Sequence, residues 1–307
     1  MKVIHSAKDC DAKGRKVCLA IGVFDGVHLG HQQIIRQTVA DAHLAGGHSL
    51  VVTFAPHPSQ IVAPDRVPPL IYSPWQKLRT IEACGVDTLL EIRFDKAFSE
   101  KSGPEFIREL ARDLGGISDI CVGADFVFGR KRSGNVEVLR ELGRELNFKV
   151  HGLASVALDG RVVSSTRIRE AIRRGDLDAA SQMLGRPYAI QGRVVPGDQL
   201  GRQWGFPTAN LEIGDHLTPP NGVYAGVATV DNKIWPVALN IGRRPTLALA
   251  EPVLRVEAHL LDFQGDLYGL ELEVEIVRKL RDEKKFGSPA ELKEQIQRDV
   301  AAVRALA

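Results

Sequence analysis

Between Gly22 and His31 the chain reads GVFDGVHLGH, with two imidazoles, His28 and His31, three residues apart and interleaved with glycines. A neutral imidazole donates one hydrogen bond and a protonated one also carries charge. The pair therefore suits a reaction whose transition state gathers negative charge on phosphate oxygens. The stretch follows an apolar β-branched run, 17–21, and precedes a helical pattern, 32–44. It therefore falls on a strand-to-helix turn, where free backbone N–H groups and the positive end of the helix dipole receive anions. Gly22, Gly26 and Gly30 let the backbone approach such a ligand. A pair of surface or core histidines is the plainer account of the same residues. Zinc fits poorly, because zinc helices space histidines four apart with a glutamate between them. No GK[ST] follows, which excludes a P-loop.

Other segments carry polar groups in suggestive patterns. His57 sits between Pro56 and Pro58 after an apolar run, as a packed loop histidine or a ligand contact. In ADFVFGRKRSG, 124–134, Phe126 and Phe128 can stack on rings, and the basic residues can meet phosphate or simply be solvated. Ser164, Ser165 and Thr166 cap a helical pattern whose first turn carries Arg169, so hydroxyls and a guanidinium face one helix start. Capping alone explains the hydroxyls. In GDQLGRQWGFPTANLEI, 197–213, Thr208 and Asn210 are hard oxygen ligands two residues apart. On an extended chain they share one side, as a magnesium ion bound to nucleotide phosphates requires, while Gly197, Gly201 and Gly205 give a phosphate-facing loop. By pattern alone a glycine-rich turn ending in an Asx cap also accounts for them.

Two kinds of scaffold must position these residues. From 17 to about 155, β-branched runs at 17–21, 50–54, 88–94, 119–123 and 149–153 alternate with helical patterns at 32–44, 74–83, 104–114 and 135–146. That alternation predicts a Rossmann-like parallel sheet covered on both faces, with ligands at the carboxyl ends of the strands. A short helix, 176–184, ends at Gly185. From Pro187 the period changes to β-rich runs at 188–195, 222–230, 234–239, 255–261 and 270–277, as in a compact antiparallel barrel, and a Ser288-capped helix closes the chain. The expected domains are 1–185 and 186–307.

Length and composition suit two soluble globular domains: 307 residues, 44% hydrophobic and 25% charged, with net charge +2. The longest apolar runs fall far short of the roughly 20 residues of a membrane span, and no signal-peptide core opens the chain, so a cytoplasmic location is expected. Cys10, Cys18, Cys84 and Cys121 are scattered without CxxC spacing, which argues against disulfides or structural zinc. Basic residues are not concentrated in either half, so small phosphorylated ligands fit better than nucleic acid. Oligomeric state is not legible.

The histidine stretch resembles the HxGH signature of the nucleotidyltransferases, and VSSTRIR, 163–169, resembles the ISSTxxR segment of flavin adenylyltransferases. GFPTAN, 205–210, resembles the GxPTAN signature of riboflavin kinases; NIGRRPT, EAHLLDFQGDLYG and LRDEKKF agree with it. Together these motifs are similar, in order, to the bifunctional bacterial riboflavin kinase and FAD synthetase family. The resemblance implies two ATP-dependent reactions, phosphorylation of riboflavin to FMN and adenylyl transfer to FMN, giving FAD. It implies catalytic roles for His28, His31 and Arg169 in the second reaction and for Glu257, as general base, in the first. An exposed strand glutamate is the plainer account of Glu257. The resemblance also implies ligand contacts by Gly22, Phe24, Asp25, His57, Asp125, Ser165, Thr166, Gly201, Arg281 and Phe286, and Mg²⁺ on Thr208 and Asn210. Ala55, Asp125, Trp204 and 247–250 depart from the usual family residues, which bears on substrate affinity. Two rival classes are another nucleotidyltransferase with an unrelated barrel and a flavin-binding regulator descended from such an enzyme. The kinase motifs oppose the first, and the retained His28, Thr208 and Glu257 oppose the second.

Overall fold

The computed structural model describes residues 1–197, 201, 205–244 and 253–306. Trp204 and 247–250, and with them the end of the NIGRRPT loop, lie outside the described residues. Contacts divide the chain into two compact units, 1–69 with 74–165, and 70–73 with 166–307. The expected boundary after Gly185 lies beyond this division, past helices Ser165–Arg174 and Leu177–Leu184.

In the first unit six parallel strands form one sheet: β1 (Lys2–Ile4), β2 (Val17–Ile21), β3 (His48–Ala55), β4 (Thr88–Arg93), β5 (Ile117–Gly123) and β6 (Lys149–Leu153). Their order is β1-β4-β3-β2-β5-β6. Five are those the sequence predicts. β1, with three residues, is too short to show a period and joins the edge through β4. All five residues of β2 are buried, as a central strand covered on both faces requires. Its alternate residues serve two cores. Leu19 and Ile21 pack with Phe106, Ile107, Leu110, Leu139 and Leu142, whereas Ala20 packs with Ile35, Ile81 and Leu89.

Capping fixes the helix starts. Helix α1 runs Leu29–Leu44, starting before the expected residue 32 because His28 is its N-cap, its side chain accepting from His31 N–H. Short helices not read from sequence, α2 (Ser59–Val62) and α4 (Lys96–Ser99), flank α3 (Pro74–Glu82). Helix α5 (Gly103–Asp113) has a full capping box of Ser102 and Glu105, and Asn135 caps α6 (Val136–Leu146). Such N-caps contribute about 1 kcal/mol each.

A two-stranded antiparallel hairpin, β7 (Ala157–Leu158) and β8 (Arg161–Val162), follows β6, and helices α7 (Ser165–Arg174) and α8 (Leu177–Leu184) then precede a closed antiparallel barrel. Its strands are β9 (Ala189–Val195), β10 (Ala209–Glu212), β11 (Gly222–Val230), β12 (Lys233–Arg244), β13 (Val253–Leu260) and β14 (Glu271–Arg281), in the order β10-β13-β12-β11-β14-β9. The sequence predicts five. β10 escapes notice because it has four residues and only Leu211 buried. The closing helix spans Pro289–Arg304, capped by Ser288.

Candidate active sites

The first site lies at the carboxyl ends of β2, β3 and β5, where strand order reverses between β2 and β5, the switch point at which parallel sheets take ligands. The turn after β2 is tight. Phe24, Gly26 and Val27 all have positive φ, and a Cβ on Gly22 would meet the Phe24 ring at 2.8 Å. Phe24 is 1% exposed and belongs to the core, where its edge meets the His31 ring at 5.2 Å. His31 in turn stacks on His28, centroids 3.6 Å apart. His28 Nδ1 accepts from His31 N–H at 3.4 Å, which leaves the ring proton on Nε2. The sequence-predicted pair is thus brought together as one stacked unit at the start of α1.

Neighbouring segments converge on this turn. Asp25 is buried, and its carbonyl accepts from Ser165 Oγ at 3.1 Å. Thr53 Oγ1 donates to Val23 O at 3.1 Å and accepts from Lys77 Nζ at 3.3 Å. Lys77 was not legible in the sequence. Burial pushes its ammonium down, opposed by Glu91 and Asp25. His57, past the cis Ala55–Pro56 bond, accepts from Ser59 N–H at 3.2 Å and so helps start α2. Asp125 is exposed. Thr166 and Arg169 lie in α7, which contacts group with the second unit, and Arg169 is buried.

Gly22 and Val23 also border a cavity of about 340 Å³. Its apolar lining is a run of rings, Phe54, Phe94, Phe98, Phe106, Phe128 and Phe126, each within 6.5 Å of the next. Arg130, Lys131 and Arg132 lie at its edge, with Arg130 paired to Glu100 at 3.4 Å. Phe126 and Phe128 stack at 15°. A Cβ on Gly134 would meet the Phe128 ring at 2.5 Å, so glycine there lets the loop close on itself. The other four rings come from β3, the loop after β4, α4 and α5, too far apart in sequence to form a motif.

The second site is on the outside of the barrel. Along β13 the buried residues Val256, Ala258 and Leu260 alternate with Glu257 and His259, which line a cavity of about 460 Å³. Cross-strand register places Asn210 of β10 and Asn240 of β12 directly opposite Glu257, one on each side. Asn240 Nδ2 donates to Glu257 Oε2 at 3.4 Å. Gly201, Thr208, Arg281 and Phe286 line the same cavity, so the sequence-predicted residues of this half converge. Arg281 borders it with its charge already engaged: its guanidinium donates three bonds of 2.8–3.1 Å to Asp299 of the C-terminal helix. Leu292 and Ile296 of that helix complete the wall. A second cavity of about 460 Å³, bounded by Ala258, Leu260, Phe263 and Tyr268, shares Thr208 with the first.

The fit of a metal rests on the loop before β10. A Cβ on Gly197 would run into the Asn210 amide, and one on Gly201 into the Phe206 carbonyl oxygen. The glycines thus form a cradle around two neutral oxygen donors. Among the described residues no cluster of three or more His, Cys, Asp or Glu could hold an ion alone. Such a donor set suits magnesium carried in with nucleotide phosphates.

Comparison with known proteins separates the chain into the same two functions. The FAD synthetase family model matches residues 10–167 and the riboflavin kinase family model 184–307. The bifunctional riboflavin kinase/FMN adenylyltransferase of Pseudomonas fluorescens is 39% identical over all of this chain and 98% of its own. That of Escherichia coli strain K12 is 38% identical over 99% of this chain and 97% of its own. A crystal structure of a protein described as a macrolide-efflux protein, from Streptococcus pneumoniae, superimposes with TM-score 0.83 at 28% identity, covering 98% of each chain. Among the described residues no helix is long and apolar enough to cross a membrane.

Proposed function

The chain belongs to the bifunctional riboflavin kinase/FMN adenylyltransferase family, an enzyme that phosphorylates riboflavin with ATP and then adenylylates FMN to FAD, and from that premise we propose where each reaction occurs. The kinase site is the outer barrel cavity, with the flavin between β13 and the C-terminal helix and ATP in the cavity on the other side of Thr208. The observation that carries this assignment is the row Asn210–Glu257–Asn240 facing one cavity while Thr208 borders both. Glu257 takes the proton of the ribityl hydroxyl as it attacks the γ-phosphorus, and the Asn240 amide orients its carboxylate. Thr208 and Asn210 would hold Mg²⁺ beside the ATP phosphates. The ion supplies neutralisation of phosphate charge.

Adenylyl transfer belongs to the histidine turn. FMN carries its own nucleophile, a phosphate already ionised at neutral pH, so no covalent intermediate or strong base is required. What remains is alignment and charge stabilisation. His28 supplies its Nε2–H, and His31, stacked between His28 and Phe24, keeps that ring in place while presenting its own. Ser165, Thr166 and Arg169 meet the ATP phosphates, a role supported by the likeness of their segment to that of flavin adenylyltransferases; His57 also faces ATP phosphate, Asp125 faces FMN, and Gly22 and Asp25 are further ligand contacts. The phenylalanine cavity takes the isoalloxazine ring of FMN, with the 130–132 basic edge toward its phosphate. Both reactions consume ATP, and the cytoplasm is the compartment we assign to them. The boundary between the two activities is set at Gly185, after α8.

Incubating the protein with riboflavin and Mg-ATP, with flavins resolved chromatographically, gives FMN and then FAD. His28→Ala with His31→Ala should stop the sequence at FMN, removing several kcal/mol of transition-state stabilisation. Wild-type FAD production by that variant would refute the assignment.

A further inference from the structure

We propose that His259 is a positioning residue of the kinase reaction, holding through its Nδ1–H the segment that presents Thr208. The inference rests on the assignment of Thr208 to the magnesium–ATP complex made above. His259 Nδ1 lies 2.7 Å from the carbonyl oxygen of Pro207. A carbonyl only accepts, so Nδ1 carries the proton and the neutral ring is the Nδ1–H tautomer. The same ring meets Phe206 edge to face, centroids 5.7 Å apart and planes at 87°. One side chain therefore grips both residues that precede Thr208.

The grip matters because, among the described residues, the segment lies outside the strand ladders. Phe206, Pro207 and Thr208 stand outside regular structure, between the glycine loop and the first residue of β10. Pro207 has no N–H with which to join a ladder. Among the described residues its loop backbone bond runs from Phe206 N–H to Gly201 O at 2.8 Å, within the glycine loop itself. His259, by contrast, stands on β13, two residues from Glu257 and on the same outward face. It references the position of Thr208 to the strand that carries the general base. Phosphate, metal and base are thereby indexed to one rigid element, the arrangement that holds reacting groups within fractions of an ångström.

Isosteres separate this role from a structural one. The Asn side-chain amide nitrogen falls where His Nδ1 is, and the Gln nitrogen falls where Nε2 is. His259→Asn should therefore keep the bond to Pro207, and His259→Gln and His259→Ala should lose it. In riboflavin kinase assays at fixed ATP, Ala and Gln should raise half-saturating Mg²⁺ about three- to tenfold, the worth of one neutral hydrogen bond. Their kcat at saturating Mg²⁺ should stay within about twofold, and Asn should stay within about twofold of wild type throughout. The retained kcat at saturating Mg²⁺ reports that the barrel is folded, and conversion of added FMN to FAD by each variant reports the same of the other unit. Equal behaviour of Asn and Gln, or a kcat loss with Mg²⁺ half-saturation unmoved, overturns the proposal. Long-range ¹⁵N–¹H spectra of the wild-type protein above pH 8 read the tautomer without any substitution. Nδ1–H is expected, and Nε2–H at His259 overturns the proposal. Thr208→Val in the same Mg²⁺ titration tests the underlying assignment, which falls by itself if half-saturation does not move.

Discussion

Replacing Asp299 by asparagine tests whether the C-terminal helix is a wall of the flavin cavity. Arg281 donates three bonds to this carboxylate and Gln295 Nε2 a fourth, at 3.0 Å. The Arg281 and Asp299 side chains are 22% and 9% exposed. The pair therefore falls between an exposed ion pair, worth at most about 1 kcal/mol, and a buried one, whose breaking costs about 3–5 kcal/mol; about 2 kcal/mol is the expected loss. The substitution keeps volume and one acceptor oxygen but leaves the guanidinium without its counter-charge. Beyond this pair the helix is tied down near its C-terminal end, by buried Val303 with Val300 and by Arg304, which donates to Asp262 at 2.7 Å, so the Leu292–Ile296 stretch depends most on Asp299. The loss should thus appear as detachment of the helix, taking Leu292 and Ile296 away from the cavity, rather than as global unfolding. A cost of about 2 kcal/mol corresponds to a roughly 30-fold rise in KM for riboflavin. The KM for ATP and the conversion of FMN to FAD should not change. Separate riboflavin and ATP titrations, with FMN quantified chromatographically, measure this. A riboflavin KM within twofold of wild type would refute the helix as a wall, and an equal rise in both KM values would refute the division of the two cavities between flavin and nucleotide.

Glu257→Gln keeps volume and an acceptor for Asn240 but cannot take a proton. Riboflavin phosphorylation should fall by about 10²- to 10⁴-fold with substrate affinity little changed, while added FMN still becomes FAD at the normal rate; an unchanged kinase rate would make Glu257 an ordinary strand residue. Cys18 and Cys121 are fully buried, and burial pushes their thiols up to about 11 and about 12 from an ordinary 9.0. Because the folded state keeps these protons longer than the unfolded one, their contribution is complete below pH 9 and is lost as pH rises through about 11 to 12. Melting temperature should fall across that window, by less in Cys18→Ala with Cys121→Ala, and native protein at pH 8 should resist thiol alkylation at both positions.

Much of the sheet unit was legible because its strands are buried runs separated by capped helices, and the signals at Ser102, Asn135 and Asp176 act locally. The histidine turn was legible for the same reason: its residues are adjacent in sequence. The phenylalanine cavity was not. Its rings come from four separate segments besides the 126–128 loop, and only the parallel order of β3, β4 and β5 gathers them. Lys77 was hidden because an amphipathic helix normally exposes its lysines, and its bond to Thr53 depends on tertiary packing. In the barrel, Glu257 is flanked by Asn210 and Asn240 only through a register that no linear pattern reveals.

The parity of β13 sets how this enzyme can vary by insertion and deletion. Its even-numbered residues, Val256, Ala258 and Leu260, are buried, with Ala258 and Leu260 bordering the second cavity, and its odd ones, Glu257 and His259, line the first. Adding or removing one residue within this strand would turn every side chain beyond the lesion to the opposite face, putting a carboxylate or imidazole into the core and methyl groups where Glu257 and His259 stand. Stability and catalysis would fail together, with no intermediate in which one survives. Length changes in the second unit are therefore expected to be tolerated in hairpin tips such as Asp231–Asn232, where both residues have positive φ and stand between the paired Val230 and Lys233, and within β13 in pairs of residues.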